Sequence, residues 1–304
     1  MVGPGGPRGE PVLHRASAGL SPEGALALVA AAAPGIDLSD AVAEEGGWDY
    51  FVVDTGEWIF KFPRAPEVEQ TLRAEIALLP ALGAALPLEI PQPVLVVEEP
   101  TLFAGYRRIA GTPLTPERQT ERPGRELGRF LEALHAFPVE TALGAGVPGG
   151  DTATWRRRQE ELVAGLEAKV GPLLSRRERD VARAAFGAFL DDDASFDFEP
   201  VLVHYDVGPA HVLVRAGGSV QGVIDWSDAW VGDPAADFAW ALHGAAPMFA
   251  GAVASSYRGM TSSLRHRALH YHRLGPWHEV VHGQELGDDS WIATGLAGVA
   301  ARLP

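Results

Sequence analysis

From Gly47 to Pro63 apolar and polar residues alternate, rich in β-branched and aromatic side chains, around Asp54-Thr55-Gly56. That period of two predicts a hairpin, Tyr50-Phe51-Val52-Val53 against Trp58-Ile59-Phe60-Lys61-Phe62. At Glu67 the period becomes helical and holds to Leu82, with Val68, Leu72, Ile76 and Leu79 on one stripe. Val94–Val97 and Phe103–Ile109 read as two more strands. After Gly111-Thr112-Pro113 the chain turns mostly helical, over Arg125–Ala136, over Thr154–Leu190 and from Pro234 onward. Only Val201–His204, Val212–Val214 and Gly222–Trp226 interrupt it as strand-like runs. A β-rich part, a short connector and a larger helical part predict an α+β chain of two lobes, and ligand sites favour the cleft between lobes.

Composition removes several classes of function. The 304 residues contain no cysteine, which excludes disulfides, thiolate metal sites and cysteine nucleophiles. With 25 Lys+Arg against 40 Asp+Glu, the net charge of -15 opposes nucleic acid and anionic membrane surfaces. Met1–Pro11 is rich in Gly and Pro and reads as loose. The apolar run Ala25–Ala33 follows Ser21-Pro22-Glu23, an N-cap, a first-turn proline and an acidic first turn, so it reads as a short helix rather than a secretory core. Trp240–Tyr257 is too interrupted by Pro247, glycine and serine to span a bilayer. The expectation is a soluble, cytoplasmic monomer whose partner is a small molecule.

The densest chemistry lies in His204-Tyr205-Asp206-Val207-Gly208-Pro209-Ala210-His211, followed by Ile224-Asp225-Trp226. An Asp and a potential metal ligand stand five residues apart on one loop, and a second Asp ends a short apolar strand further on. Phosphoryl transfer uses such a set: one carboxylate to orient the attacking hydroxyl, and further donors to hold magnesium. The bland alternative is a polar turn in which Asp206 and Asp225 cap backbone groups. Upstream, Glu75 falls on the buried stripe of its helix, where a carboxylate needs a cation. Lys61, on its strand, supplies one.

In this order the motifs resemble the protein-kinase-like fold in its aminoglycoside and macrolide phosphotransferase branch. His204, Asp206 and His211 match H-x-D-x4-N with His in place of the Asn, a replacement typical of macrolide 2′-phosphotransferases. Ile224-Asp225-Trp226 matches the metal-binding Asp motif, and Gly232-Asp233-Pro234-Ala235-Ala236-Asp237 matches the G-D-P-x-x-D element that follows it. Tyr205 stands where these enzymes usually carry Gly. The resemblance implies residues 1–105 as a nucleotide-binding lobe, 106–111 as connector and 112–304 as the helical lobe with the catalytic loop. It implies Asp206 as the catalytic residue, His211 and Asp225 as magnesium ligands, and Lys61 paired with Glu75 at the nucleotide phosphates. Arg107, Ile109, Leu213 and Ile224 would surround the base, held by backbone groups of Tyr106–Gly111. GTP is the implied donor, with ATP as the other possibility, and Glu44–Asp49 occupies the phosphate-loop position without a full G-x-G-x-x-G.

The acceptor belongs beyond Asp225, where the chain is aromatic. Asp206 and Asp228 with Trp226, Tyr271 and Trp277 are the candidate acceptor contacts, although aromatics at helical spacing more often build core. An apolar wall with one or two carboxylates suits a macrolide carrying a single dimethylamino sugar better than a polycationic aminoglycoside. The expected activity is therefore phosphorylation of the macrolide 2′-hydroxyl. The alternatives are a kinase for an aminoglycoside or a small amine or alcohol, and a nucleotide-binding pseudokinase. Among other polar residues, Asp237 is expected to anchor the catalytic loop and Asp191-Asp192-Asp193 to be a solvated helix end. Arg156-Arg157-Arg158 is expected to pair with neighbouring glutamates. His266 and His270, at i,i+4, are a weak zinc candidate.

Overall fold

The computed structural model describes residues 20–44 and 49–304. The loop at the phosphate-loop position, 45–48, and the Gly/Pro-rich N-terminus lie outside the described residues. Helix α1 (Pro22–Ala32) begins as its sequence predicts, with Ser21 Oγ accepting from Gly24 N at 3.1 Å. Strands β1 (Val42–Glu44), β2 (Tyr50–Asp54) and β3 (Trp58–Pro63) follow, then helix α2 (Pro66–Ala85) and strands β4 (Pro93–Val97) and β5 (Phe103–Arg107). The five strands form one antiparallel sheet in the order β1-β2-β3-β5-β4.

The alternation within β3 decides what each face of this sheet does. Phe60 and Phe62 point to one side and pack with Phe51, Val53 and Phe103 under Ala25 and Val29 of α1. Lys61 therefore points the other way, toward α2. On α2 the residues Val68, Leu72, Leu79 and Leu82 are buried, and Glu75 stands in the same stripe with its side chain 2% exposed. Ile76, expected on that stripe, is only half-buried because it lies one position past Glu75.

The remainder is mostly helical. Strand β6 (Thr112–Pro113) leads to helices α3 (Glu121–His135), α4 (Val139–Gly144), α5 (Thr152–Val170) and α6 (Arg176–Leu190). The amphipathic run expected from Thr154 to Leu190 is thus two helices. Pro172 ends the first, and a capping box between Ser175 and Glu178 starts the second. Short strands β7 (Val201–Val203), β8 (Val212–Val214), β9 (Val220–Val223) and β10 (Trp230–Gly232) come next. They form a pair, β7 with β10, and a three-stranded sheet in the order β6-β8-β9. Helices α7 (Ala239–His243), α8 (Pro247–Ser255), α9 (Ser262–Leu286) and α10 (Asp289–Arg302) complete the chain. Among the described residues no helix is long and apolar enough to cross a membrane.

One connection brings the sheet-bearing part to the helical part, and a second ties β6 to a loop within the latter. Glu89, after α2, bridges Gly222 of β9, with Val223 N donating to Glu89 O at 2.9 Å. A Cβ at Gly222 would lie 2.5 Å from that same carbonyl oxygen, so only glycine permits the approach. Leu114 N donates to Pro209 O at 2.9 Å, joining β6 to the loop between β7 and β8.

Candidate active site

The β7–β8 loop, His204–His211, and the segment after β9, Ile224–Asp228, face each other beneath the five-stranded sheet. His204 is fully buried, and its ring joins the two segments: Nε2 donates to Ile224 O at 3.0 Å, and Nδ1 accepts from Asp206 N at 3.3 Å. That pattern requires a neutral imidazole, and burial accordingly lowers the His204 pKa to about 4. Asp237 anchors the loop from below, as expected. Its carboxylate accepts from His204 N at 3.0 Å, Tyr205 N at 2.7 Å and His135 Nε2 at 3.1 Å, in a fully buried position.

Tyr205 adopts φ +69° and Asp225 φ +66°, the two non-glycine residues in the left-handed region among those described. That conformation costs roughly 1–2 kcal/mol for a residue with a Cβ. At Tyr205 it is the conformation that glycine, the residue expected there from the resemblance, adopts without this cost. Here the Asp237 bond to the Tyr205 amide holds the strained turn. The ring packs edge-on to Trp155, with centroids 5.5 Å apart.

Lys61, Glu75 and Asp225 meet. Lys61 Nζ lies 3.1 Å from Glu75 Oε2 and 3.2 Å from Asp225 Oδ1. Burial alone would strip the proton from this lysine, but the two carboxylates reverse that and hold it charged. Asp225 behaves in the mirror sense. Burial disfavours its charge, but Lys61 and His211 outweigh this and keep the carboxyl well below its ordinary range. Ser227 completes the knot, accepting from Lys61 Nζ at 3.2 Å and bonding Asp225 Oδ1 at 3.0 Å and Glu75 Oε2 at 3.3 Å. The sequence reading did not single out Ser227. Its sole signal is a small polar residue two positions past Asp225.

His211 stands between the two aspartates. Its Nδ1 donates to Asp206 O at 2.8 Å and lies 3.3 Å from Asp206 Oδ2. Nε2 faces Asp225 Oδ2, 3.7 Å away. An imidazole nitrogen and a carboxylate oxygen converging at that separation fit two positions around one small cation. No cluster of three or more His, Asp or Glu side chains is placed to hold a metal among the described residues. Magnesium does not need one, since it keeps waters and shares phosphate oxygens. The His266/His270 pair holds no such site: His270 lies flat on Phe189 at 3.5 Å, as core.

Asp206 is 8% exposed. Burial and then the charge of Asp228 raise its carboxyl well above the ordinary range. Asp228 itself is pushed up to about 7 by burial, Asp225 and Asp49, against the opposing charges of Arg158 and Lys61. Beyond Asp228 opens a cavity of about 420 Å³, walled by Val68, Thr71 and Leu78 of α2, by Pro148, and by Trp226 and Trp230. A smaller hollow of about 90 Å³ lies on the far side of Tyr205, between Asp206, Trp240 and Tyr271.

The remaining expected site residues divide. Leu213 of β8 is buried and Ile224 half-buried, close to Asp225 in the chain. Ile109 is half-buried just past β5, whereas the exposed Arg107 stacks its guanidinium over Trp58 and pairs with Glu57. Trp226 is buried against His204 and Phe130 but forms one wall of the larger cavity. Tyr271 reaches the smaller hollow, with its hydroxyl donating to Asp233 at 2.8 Å. Trp277 is turned into the core, 1% exposed, against Phe186, and borders neither the larger cavity nor the smaller hollow. Helical spacing places it inward, and α6 covers it. Of the Arg156–Arg158 patch, expected to pair with glutamates, Arg156 pairs with Asp193 instead, Arg157 bonds Thr154 Oγ1, and Arg158 stacks over Trp230.

Two buried imidazoles make stability depend on pH. His204 titrates at about 4 and His270 at about 3, both lowered by burial, against an ordinary value of 6.5. Each is neutral in the folded chain while the unfolded chain takes up its proton below pH 6.5. Their contribution to folding stability is therefore lost as pH falls from 6.5 toward 4. His272 and His278, also lowered to about 4 by burial, act in the same sense, whereas Asp228, pushed up to about 7, acts in the opposite one; in urea unfolding, replacement of His270 by Phe is therefore expected to remove about 2 kcal/mol of acid-side loss between pH 7 and pH 5, relative to wild type.

This geometry of loop, paired lysine and closing aspartate is that of a kinase-like phosphotransferase, and comparison with known proteins agrees. Residues 45–274 match the phosphotransferase enzyme family APH, so the chain belongs to that family. It is similar to the viomycin phosphotransferase of Streptomyces vinaceus, 26% identical over 297 residues, covering 87% of this chain and 94% of that one. Among solved structures it resembles the GDP and kanamycin complex of APH(2")-IIia, with TM-score 0.81, 26% identity, and 91% and 97% of the two chains covered. It also resembles the macrolide 2'-phosphotransferase of Brachybacterium faecium, with TM-score 0.71, 25% identity, and 90% and 97% covered. The fold is kinase-like, and the chain is an antibiotic phosphotransferase in type.

Proposed function

We propose that the protein moves the γ-phosphoryl group of GTP to the 2′-hydroxyl of the amino sugar of a macrolide, inactivating the antibiotic. One observation carries the choice of acceptor: the 420 Å³ cavity beside Asp228 has an apolar wall of Trp226, Trp230, Leu78 and Val68, with Asp228, Asp49, Glu67 and the Lys61-paired Glu75 as its carboxylates. An apolar ring bearing one amine suits that surface.

In this reading Asp206 accepts the proton of the attacking hydroxyl, and its raised pKa makes it a stronger base than an exposed carboxylate. Lys61, kept charged by Glu75 and oriented by Ser227, meets phosphate oxygens. His211 Nε2 and Asp225 hold magnesium, which when bound offsets the charge of the transferring phosphate. The connector 106–111, including Arg107 and Ile109, faces the base through its backbone, with Leu213 and Ile224 beneath it. Residues 1–105 carry the nucleotide and 112–304 the acceptor. GTP is supported by the GDP complexes among the similar structures, and ATP is the other donor to try.

The similarity to a kanamycin complex favours one second reading, an aminoglycoside acceptor. Phosphorylation of erythromycin and kanamycin, assayed side by side with GTP and with ATP, separates the two. The macrolide reading expects turnover on erythromycin with GTP and little on kanamycin, and the reverse order overturns it.

A further inference from the structure

Ser227 touches three charged groups at once. Its hydroxyl accepts from Lys61 Nζ at 3.2 Å and lies 3.0 Å from Asp225 Oδ1 and 3.3 Å from Glu75 Oε2. A hydroxyl carries one proton, so it donates to one of these two carboxylates at a time. Lys61 is saturated as well, its three protons serving Glu75, Asp225 Oδ1 and Ser227 Oγ. A phosphate oxygen that reaches Lys61 must displace one of them. Glu75 is the costliest to give up, because its side chain is 2% exposed and a buried charge left unpaired is expensive. The contact surrendered is therefore the one with Asp225 or the one with Ser227. In both cases the Ser227 proton stays available to Asp225 Oδ1, the nearer of its two carboxylates. The turn holds the two residues at that reach. Asp225 sits at φ +66°, and the intervening Trp226 is buried, with Nε1 donating to Val223 O at 3.1 Å.

We infer that Ser227 is a positioning residue for the cation, its hydroxyl holding Asp225 Oδ1 so that Oδ2 is presented beside His211 Nε2. The inference rests on the reading of His211 and Asp225 as the magnesium site, but not on the nucleotide base or the acceptor. The Asp225 side chain is 44% exposed, so packing alone does not fix how its carboxylate is turned. A carboxylate free to rotate offers either oxygen, whereas one bonded through Oδ1 offers Oδ2 at a set place, on the side of His211 Nε2 at 3.7 Å. Outer partners that orient a ligating carboxylate in this way are worth about 10–100-fold in metal affinity. A serine that served only to steady Lys61 would matter equally with and without metal.

The test is titration calorimetry of non-hydrolysable GTP and ATP analogues in magnesium and in EDTA, with wild type, Ser227→Ala, Ser227→Thr and Asp225→Asn. Magnesium is expected to tighten nucleotide binding by wild type. Ser227→Ala should lose about tenfold of that gain while its affinity in EDTA is little changed, and Ser227→Thr, which restores the hydroxyl, should stay close to wild type. Asp225→Asn should lose the gain altogether. Ser227→Cys, close in shape and a poor donor, replaces the alanine variant if a thermal melt shows the latter unfolded. A full magnesium gain in Ser227→Ala, equal losses with and without metal, or a threonine variant as impaired as the alanine one would overturn the inference while leaving the metal reading in place. A magnesium gain that survives in Asp225→Asn, or is absent from wild type, removes the metal reading and the inference with it. Failure of the macrolide reading shows separately, as wild type that binds nucleotide in this way but does not phosphorylate erythromycin.

Discussion

Asp206→Asn is expected to lower kcat by about three orders of magnitude while the protein stays folded and binds nucleotide. Asn has the shape of Asp and cannot take a proton, so the change removes the base and little else. The side chain is nearly buried, and burial and Asp228 both disfavour its charge. Neutralising it therefore relieves like-charge repulsion, and the melting temperature should stay level or rise. Lost turnover with intact or improved stability is a combination that a merely structural aspartate would not give. Stopped-flow or steady-state turnover beside a thermal melt reads both. Wild-type turnover in this variant would remove Asp206 from the mechanism.

The second large effect is on the fold. Asp237→Ala is expected to destabilise the protein by about 3–5 kcal/mol in urea unfolding. The carboxylate is fully buried and serves three donors, the amides of His204 and Tyr205 and Nε2 of His135. Each donor left without an acceptor in a dry site costs about 1–3 kcal/mol, the charge-assisted ones more. Turnover should fall as well, even at temperatures where the variant remains folded. The bond to the Tyr205 amide keeps that residue at φ +69°, and Asp206 is the next residue in the chain. Asp237→Asn, which retains one acceptor oxygen, should fall between the two. A loss below about 1 kcal/mol for the alanine variant would mean that other contacts hold the loop.

Much of this architecture was legible because period-two and helical patterns differ sharply on either side of Arg64. The inward Glu75 was readable for the same reason, since a carboxylate inside an apolar helical stripe needs a cation, and Lys61 lies across from it at 3.1 Å. What the pattern could not resolve is distance. Strand β10, three residues long, is too short to show alternation and exists because it pairs with β7. The helix break at Gly171-Pro172 was written in the sequence, but the amphipathic pattern runs through it. Trp277 and Trp226 read alike as acceptor contacts and are equally buried, yet one packs against Phe186 of α6 and the other also walls a cavity. Arg158 read as part of a basic patch paired with neighbouring glutamates because the rings it stacks on, Trp230 and Tyr205, are separated from it by tens of residues.

The central claim is that Asp206, set opposite His211 and Asp225, directs a γ-phosphoryl group onto a macrolide hydroxyl. The most direct measurement follows label from γ-labelled GTP in the presence of magnesium and erythromycin, with wild type and Asp206→Asn in parallel. The account predicts one labelled phosphoryl group on the macrolide for each GDP formed by wild type, and almost none with the variant. GDP released without labelled macrolide, or equal labelling by both proteins, would contradict it.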